Sequence, residues 1–457
     1  MRVKTLFTAL LTAIALQLQA QDYYVGGDIS VLQSYEDHNV DYLDPQGNKI
    51  PDVLQYLKSE EVGWNALRVR LFVDPSGDSD PQVCQDLDYV IRLGKRIKDV
   101  GYAFMLDFHY SDTWADPSHQ WTPAAWVSLD NEALQAKIYD YTKECLQKLV
   151  EAGATPDFIQ TGNEISYGMM WGKTNDKTYI CYSNSSTTNW NRFIALLQQA
   201  TKACREVCPQ AQIIIHSERS GDPDALKFFF NKLKDIDYDV IGLSYYPFWH
   251  KGLNVLSESL DFLASSYPDK KVQIVETAYY YQWQPKVGSG ITYDFSSTWP
   301  VSPEGQAAFT RDLITELKKH DNVNGLYWWF PEENGNGPGS AVLKDWINRG
   351  LWDDNTHKAM QGLFVLKDFT DRGAGLTSLS AAAQAEGAWY SLQGTREAEP
   401  PHAPRYLYPQ PSEAARQVTC DSSTWSSLSS CCIFHKDLPI VINVYTTPRG
   451  FIDSASL

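Results

Sequence analysis

The stretch Asp157-Phe-Ile-Gln-Thr-Gly-Asn-Glu164 has the pattern of a strand that ends in a small Gly162 and then presents an amide and a carboxylate side by side. A second β-branched run, Lys271-Val-Gln-Ile-Val-Glu276, also ends in a carboxylate. Parallel α/β barrels place functional side chains at the C-terminal ends of their strands. We therefore expect Glu164 and Glu276 to face one cleft.

Strand-like runs alternate with helical patterns from Tyr23 onward, as in βα units around a parallel sheet. Predicted helices occupy residues 51–61, 82–100, 131–152, 192–207 and 303–319. The predicted strands are residues 24–30, 66–73, 102–109, 157–164, 211–218, 239–247, 271–278 and 323–331. Eight strands with helices between them predict the α/β class and a (β/α)8 TIM barrel, with a single catalytic domain over residues 21–370.

The two ends of the chain differ from this pattern. Residues 1–20 combine a basic start, a short apolar run and a small Ala20, which indicates a secretory signal peptide. No cysteine follows the expected cut, so we expect an exported protein (periplasmic, cell-surface or extracellular) without a membrane anchor. Residues 371–457 are rich in Ala, Ser and Pro and lack a periodic core pattern. They predict a short, irregular, poorly ordered tail, with a cloning or frame artefact as the alternative.

Composition narrows the class of partner. The formal net charge of −17 argues against nucleic acid and anionic membranes, which need a basic surface. Aromatic residues form 13% of the chain, with 15 Trp and 26 Tyr, and such rings stack on sugars as well as filling cores. The spacing of the eight cysteines gives no disulfide pairing and matches no zinc site. A neutral polymer is compatible with these features.

Polar and aromatic residues stand at the predicted C-terminal end of nearly every strand. For Glu164 the alternative interpretation is an exposed strand-end carboxylate, and for His109 it is a hydrogen-bonded core histidine. Such crowding at one end of a barrel is nevertheless hard to explain by packing alone. The residues are Asp28, Arg68, Arg70, His109, Asp112, Asn163, Glu164, Glu218, Tyr245, Tyr246, Glu276, Trp328 and Trp329.

Several motifs at these strand ends carry a family resemblance. They are Gly26-Gly-Asp-Ile-Ser30, Leu67-Arg-Val-Arg-Leu-Phe-Val-Asp74, Leu106-Asp-Phe-His-Tyr-Ser-Asp-Thr-Trp-Ala-Asp-Pro117, Gln160-Thr-Gly-Asn-Glu164, Asp239-Val-Ile-Gly-Leu-Ser-Tyr-Tyr-Pro-Phe-Trp249 and Ile274-Val-Glu-Thr-Ala278. With them the chain resembles glycoside hydrolase family 53, the endo-β-1,4-galactanases, over about residues 22–369. The Asn-Glu pair is shared across the clan of retaining (β/α)8 glycosidases, whereas the loop that follows the third strand points to this family.

The resemblance implies a retaining endo-glycosidase that cleaves β-1,4-galactosidic bonds in galactan, including the type I arabinogalactan side chains of pectin. It implies Glu164 as the acid/base and Glu276 as the nucleophile. An acid must keep its proton while a nucleophile stays ionised, and a nearby arginine would favour the ionised form. Arg68 and Arg70 lie on the same face of their strand, so the choice between them stays open.

The same resemblance implies roles for the surrounding residues. Asn163 would bind the sugar 2-hydroxyl, and either Tyr245 or Tyr246 would donate a hydrogen bond to the nucleophile. His109 and Trp329 would line the subsite where the bond breaks, and Asp28 and Asp112 are further substrate-binding candidates. Candidates for stacking more sugars along the cleft are Trp114, Trp121, Trp171 and Trp249.

The sequence leaves two questions open, namely calcium binding and the choice between alternative functions. Some members of the family bind calcium near the last strand, and Glu332, Glu333, Asp353 and Asp354 could ligate such a cation or could form a solvated acidic loop. We expect no required cofactor, no catalytic metal and a monomer. The alternative functions are a barrel glycosidase acting on another β-1,4-glycan (mannan, xylan or cellulose) and a non-catalytic barrel that only binds polysaccharide.

Overall fold

Eight parallel strands close into a barrel in which each strand pairs with the next and the last pairs with the first. The computed structural model describes residues 23–338 and 348–371, and further on only the backbone of a few short strands. The barrel strands are β1 Tyr24–Asp28, β2 Ala66–Leu71, β3 Ala103–Phe108, β4 Phe158–Thr161, β5 Gln212–Ser217, β6 Val240–Tyr245, β7 Lys271–Thr277 and β8 Val323–Trp329. The predicted (β/α)8 barrel is confirmed.

Helices connect the strands around the outside of this barrel. They are α1 Leu32–Asp37, α2 Val53–Lys58, α3 Leu87–Val100, α4 Asn131–Glu151, α5 Thr187–Val207, α6 Pro223–Lys232, α7 Pro247–His250, α8 Leu253–Ser266, α9 Pro303–Leu317 and α10 Gln361–Val365. Short 3₁₀ turns occupy Pro75–Gly77, Ala124–Trp126, Ile165–Tyr167, Arg219–Gly221 and Leu366–Phe369. Among the described helices, none is both long and apolar enough to cross a bilayer.

Helix α3 illustrates how the local sequence sets these elements. The sequence pattern predicts a helix from residue 82. The helix begins at residue 87, because the Asp86 side chain caps it by accepting a hydrogen bond from the backbone N–H of Tyr89. Such a cap satisfies an otherwise unpaired donor of the first turn. Val90, Leu93 and Ile97 recur at helical spacing and are buried against the barrel.

The inward-facing side chains change from apolar to polar along the strands. A buried cluster low in the barrel holds Ala66, Met105, Phe158, Ile214, Val240, Val275 and Tyr327. Two positions further along, where strand side chains return to the same face, stand the buried residues Arg68, Asp107, Gln160 and His216. The apolar floor therefore supports a polar layer at the C-terminal ends of the strands.

The first pair of strands approaches so closely that β1 requires a glycine. A Cβ placed on Gly26 would lie 1.7 Å from the backbone oxygen of Ala66 on β2. Any larger residue would push the two strands apart. Because β1 carries Asp28 and β2 carries Arg68, this contact also sets the spacing of two charged groups in the polar layer.

Two sequence predictions concern the ends of the chain. The signal peptide over residues 1–20 lies outside the described residues and stays a prediction. The barrel belongs to the unit Met1–Gly375. The predicted tail, residues 371–457, lies mostly outside the described residues. Beyond Asp371 the structure describes only the backbone of Trp389–Tyr390, Arg396–Glu397, Cys431–His435 and Leu438–Ile442.

Within the described part of the barrel the cysteines at 84, 145, 181, 204 and 208 are free thiols.

Candidate active site

A sharp turn after β4 directs Glu164 into the mouth of the barrel. Gly162 has φ +106°, and a Cβ there would lie 2.7 Å from the Cγ2 atom of Ile165. Glu164 itself lies in the left-handed region with φ +48°. A non-glycine residue rarely adopts that conformation unless its surroundings hold it there, and such strain concentrates at functional sites.

Glu276 reaches the same space from β7. In the pairing of β6 with β7, Glu276 is the partner of Ser244. The register of the two strands shifts by one residue between Leu243 and Ser244. Its Oε1 atom forms an ion pair of 3.0 Å with Nη2 of Arg68, and its Oε2 atom accepts a hydrogen bond of 3.0 Å from the Tyr246 hydroxyl. The side chain is only 7% exposed, so both partners act with little solvent screening.

Arg68 is the centre of a buried charge cluster. Its guanidinium lies 2.8 Å from carboxylate oxygens of Asp28 and Asp107, 2.8 Å from Oδ1 of Asn163 and 3.0 Å from Glu276. Three carboxylates around one arginine hold its side chain in a single orientation. Of the two arginines that face inward from β2, Arg68 is therefore the one that pairs with Glu276.

Arg70 has a different task. Its Nη1 atom lies 3.3 Å from Oδ1 of Asp28, and its Nη2 atom donates to the backbone oxygen of Gln82 at 3.1 Å. The guanidinium also lies over the ring of Trp114, at 4.5 Å from the ring centroid. Arg70 thus supports an aromatic wall of the cleft and does not contact Glu276.

The Arg68 cluster gives a first testable prediction. We expect Arg68→Lys to lower activity by about 100-fold or more, because one ammonium cannot reproduce the guanidinium contacts to Asp28, Asp107 and Glu276. Leaving buried carboxylates poorly paired should also lower the free energy of unfolding by about 2–5 kcal/mol. Steady-state kinetics and urea denaturation measure both effects. Arg70→Lys is the comparison variant, and equal losses in the two variants would contradict the distinct role given to Arg68.

His109 and Asn163 are both fixed by the loop that follows β3. The backbone N–H of Ala115 donates to Nδ1 of His109 at 3.1 Å, so the ring carries its hydrogen on Nε2, which faces Asp107 at 3.1 Å. Nδ2 of Asn163 donates to the backbone oxygen of Ala115 at 2.8 Å. An amide nitrogen has two hydrogens, so Asn163 keeps one for a ligand.

These side chains surround a cavity of about 410 Å³ at the C-terminal ends of the strands. Its aromatic members are oriented by their own hydrogen bonds, since the indole N–H of Trp114 donates to Asp80 and that of Trp249 donates to the backbone oxygen of Gly290. The lining residues are Arg68, Arg70, His109, Thr113, Trp114, Ala115, Asp116, His119, Trp121, Asn163, Glu164, Tyr246, Trp249, Glu276 and Trp329. Flat apolar faces and a few convergent polar groups suit a sugar chain.

The two glutamates differ in their electrostatic surroundings. Burial raises the pKa of Glu164 well above its usual value, the negative charges of Glu276 and Glu218 raise it further, and a hydrogen bond from Ser244 opposes the rise. Burial also raises the pKa of Glu276, but there the charge of Arg68 is the largest opposing influence. Glu164 is therefore the carboxyl that holds a proton more tightly, and Glu276 the one that ionises first.

Four residues predicted to contact substrate do not line the cavity. Asp28 lies behind Arg68 and serves as its counter-ion. Asp112 accepts hydrogen bonds from the backbone N–H groups of Asp74 and Ala124, so it shapes a loop. Tyr245 and Trp171 are buried outside the cavity. The Tyr245 side chain points out of the barrel, where its hydroxyl donates to the backbone oxygen of Lys251 and its ring packs against Phe309. The indole N–H of Trp171 donates to the backbone oxygen of Tyr167.

The structure also brings in residues that the sequence analysis did not single out. Asp107 and Gln160 stand in the polar layer beneath Asn163, and His216 and Ser244 connect to Glu164. Asp116 and His119 form an ion pair of 2.8 Å at the rim. For Asp107 the strand period was the available signal, because Asp107 lies two positions before His109 and therefore on the same inward face.

The acidic segment after β8 is not a solvated loop at Glu332 and Glu333, so that interpretation is wrong there. Glu332 is 1% exposed and accepts a hydrogen bond of 2.9 Å from the backbone N–H of Val31. Glu333 accepts hydrogen bonds from the Tyr35 hydroxyl and from the backbone N–H of Gly335. Over residues 23–338 and 348–371, no group of three or more His, Cys, Asp or Glu side chains is placed to hold a metal ion.

A closed (β/α)8 barrel with two unlike carboxyl groups and an arginine at its C-terminal strand ends has the architecture of the barrel glycosidases. Comparison with known proteins makes the class specific. The model of glycosyl hydrolase family 53 matches residues 24–378, and the chain belongs to this family. It is a glycoside hydrolase, which argues against the non-catalytic alternative.

Individual relatives agree with the family model. The chain is 31% identical over 342 residues to an endo-beta-1,4-galactanase of Bacillus subtilis, covering 73% of this chain and 75% of that protein. It is 34% identical over 357 residues to a probable arabinogalactan endo-beta-1,4-galactanase A of Aspergillus terreus, covering 75% and 94%. Among solved structures, the Ignisphaera aggregans catalytic domain of the same family superposes with a TM-score of 0.65 at 30% identity, covering 76% and 96%.

Proposed function

We propose that the protein is a retaining endo-glycosidase that hydrolyses β-1,4-galactosidic bonds in galactan, including the arabinogalactan side chains of pectin. The observation that carries the mechanism is the unequal surroundings of the carboxyl pair: Glu276 is ion-paired to Arg68, whereas the half-buried Glu164 forms no ion pair with a cation among the described residues. The substrate is supported by the names of the Bacillus and Aspergillus relatives. A neutral polysaccharide also suits the acidic chain.

In the first step the Glu276 carboxylate attacks C1 of the sugar on the non-reducing side of the scissile bond. The bond between C1 and the leaving O4 breaks, and the proton of Glu164 goes to that oxygen. The Tyr246 hydroxyl and Arg68 hold Glu276 in place for the attack. The product is a galactosyl ester of Glu276, and the shortened chain leaves with a free hydroxyl.

In the second step Glu164, now ionised, takes a proton from a water molecule. The water oxygen bonds to C1, the ester bond to Glu276 breaks, and its electron pair returns to the carboxylate. Two displacements at C1 restore the original β configuration. Asn163 supports both steps by donating its second amide hydrogen to the sugar 2-hydroxyl, a contact that strengthens in the transition state.

The remaining lining residues bind the chain on either side of this point. His109 and Trp329 enclose the sugar at the reacting centre, and Trp114, Trp121 and Trp249 offer faces to neighbouring sugars. Endo cleavage follows from binding several sugars at once, because binding energy from distant units positions an internal bond. We also propose that the protein is a monomer and that it works after export, the latter on the signal-peptide pattern of residues 1–20.

The pH dependence gives a second prediction. Hydrolysis needs Glu276 ionised and Glu164 protonated, so activity rises with pH through the pKa of Glu276 and falls as pH passes the pKa of Glu164. We expect a bell-shaped profile of kcat/KM. In Glu164→Ala, measured with a dinitrophenyl glycoside whose leaving group needs no proton, the basic limb should disappear and the acidic limb should stay. A basic limb that survives this substitution would contradict the assignment of Glu164.

A substrate panel tests the proposed specificity. The full chain is incubated with linear β-1,4-galactan and, in parallel, with mannan, xylan and carboxymethyl cellulose, and products are separated by chromatography. A ladder of short galacto-oligosaccharides from galactan alone supports the proposal. Products from another glycan alone would keep the carboxylate pair and replace the substrate.

A further inference from the structure

Side chains from β5, β6 and the turn after β4 form a hydrogen-bonded chain that ends at the acid/base. Oγ of Ser244 on β6 lies 2.6 Å from Oε1 of Glu164 and 2.8 Å from Nε2 of His216 on β5. Ser244 and His216 are fully buried. Neither residue lines the cavity, so their contacts act on Glu164 and not on a bound sugar.

The backbone fixes which nitrogen of His216 carries the hydrogen. The N–H of Glu164 donates to Nδ1 at 3.2 Å, and a backbone N–H can only donate, so Nδ1 is an acceptor and the hydrogen sits on Nε2. Burial and then the charge of Arg68 lower the pKa of His216 well below its usual value, which keeps the ring neutral. Nε2 of Gln160, 3.1 Å from Nδ1, is a second donor to it, whereas Oδ1 of Asn163, 3.0 Å from Nδ1, accepts from Arg68 and forms no hydrogen bond with Nδ1 in this tautomer.

This tautomer determines the direction of the whole chain. Nε2–H of His216 donates to Ser244 Oγ, so the single hydroxyl hydrogen of Ser244 is available for Oε1 of Glu164. Oε1 is then an acceptor both before and after proton transfer. The transferable proton therefore belongs on Oε2, to which no group in residues 23–338 or 348–371 donates a hydrogen bond.

We propose that Ser244, oriented by His216, is a positioning residue that confines the catalytic proton of Glu164 to Oε2 and stabilises the ionised form of Glu164. This inference rests on the proposed role of Glu164 as acid/base. Its consequence is kinetic: the acid presents its proton in one orientation in the first step. In the second step the same donor supports the carboxylate while Glu164 acts as a base.

Other charged groups face this chain and set the background for the test. Around Glu164 they are Glu276 on β7, Glu218 at the end of β5 and Asp116 in the loop after β3, and all three raise its pKa. Around His216 they are Arg68, Asp107, His109 and His250. Because the neighbours of Glu164 are negative, loss of the neutral donor Ser244 leaves its ionised form with less support.

Ser244→Ala in the full chain tests the proposal. We expect the basic limb of the pH profile of kcat/KM on galactan to move upward by about one pH unit, because the carboxylate loses a donor. The kcat/KM on galactan at the optimum should fall about 10- to 100-fold through misorientation of the acid. The kcat/KM on a dinitrophenyl β-1,4-galactobioside, which reports formation of the ester alone, should stay within about twofold because that leaving group needs no proton. The matched control is Ser257→Ala on α8, which removes a hydroxyl 3.3 Å from Nε2 of His320, far from the cleft.

Two results would overturn the proposal. They are an unmoved basic limb and an equal loss on both substrates, which would mark Ser244 as a structural residue. A measurement without substrate separates this proposal from the proposed function: the Glu164 carboxyl is titrated by ¹³C NMR in glutamate-labelled protein, with Glu164→Gln used for assignment. A higher pKa in Ser244→Ala supports the proposal even if galactan is not cleaved, and an unchanged pKa overturns it.

Discussion

Replacing Glu276 with glutamine is expected to reduce hydrolysis of galactan by about 10⁴-fold or more, since an amide cannot form the ester with C1. The fold should survive the change. Asp28 and Asp107 remain beside Arg68 as counter-ions, and the glutamine keeps the shape of the side chain. Initial rates of reducing-sugar release and thermal melting, measured on the same preparation, check both halves of this expectation.

The control for this variant is Glu132→Gln. Glu132 lies in the exposed first turn of α4, so the substitution removes the same charge without touching the cleft. Its rate should equal that of the wild type. If Glu276→Gln kept more than about a hundredth of wild-type activity while remaining folded, Glu276 would not be the nucleophile.

Replacing Glu164 with alanine is expected to separate substrates by their leaving groups. Hydrolysis of galactan should fall by about 10³- to 10⁴-fold because the sugar O4 leaves only with a proton. Formation of the ester from a dinitrophenyl β-1,4-galactobioside should proceed at nearly the normal rate, and breakdown of the ester should then limit turnover. Rapid-mixing measurement of the dinitrophenol burst detects this change of limiting step.

Azide gives this prediction an internal check. In Glu164→Ala the small anion can enter the space left by the carboxyl and attack the ester, which accelerates turnover and yields a β-galactosyl azide. In Glu276→Ala the same anion would replace the nucleophile and yield the α-azide. The opposite pairing of variant and anomer would exchange the roles given to the two glutamates.

The carboxylate pair was predictable because strand ends converge in any closed parallel barrel, whatever the side chains around them. Glu164 followed from a strand that ends in Gly162, and Glu276 from a β-branched run that ends in a carboxylate. The acid and nucleophile roles followed from the family resemblance. The barrel itself is visible as eight strand patterns, although α6 and α8 and the short α1 and α7 are not predicted. In α6 three consecutive phenylalanines at 228–230 obscure the helical period.

The choice between the two arginines could not be made from sequence. Arg68 and Arg70 are two positions apart and both face inward. Arg70 even stands level with Asp107 in the β2–β3 register, yet the guanidinium of Arg68 is the one that reaches Asp107. Side-chain direction, and not strand register, decides which arginine meets Glu276.

The pair of tyrosines shows a second limit. Tyr246 shares the inward face with Ser244, two positions earlier, whereas Tyr245 points outward to Phe309. The sequence does not show which set of alternate residues in β6 faces the cleft, because polar residues do not recur at every second position of this strand. The contribution of His216 was hidden for the same reason: one histidine after three isoleucines resembles an ordinary buried residue.

The central claim is that Glu276 forms an ester with galactan at C1. Glu164 then activates a water molecule that attacks C1 from the face that the leaving group has vacated. The most direct test follows the hydrolysis of linear β-1,4-galactan by ¹H NMR from the first seconds, before mutarotation equilibrates the products. We predict that the new reducing ends appear first as the β-anomer and convert slowly to the mixture. First appearance of the α-anomer would contradict the double displacement and the roles given to both glutamates.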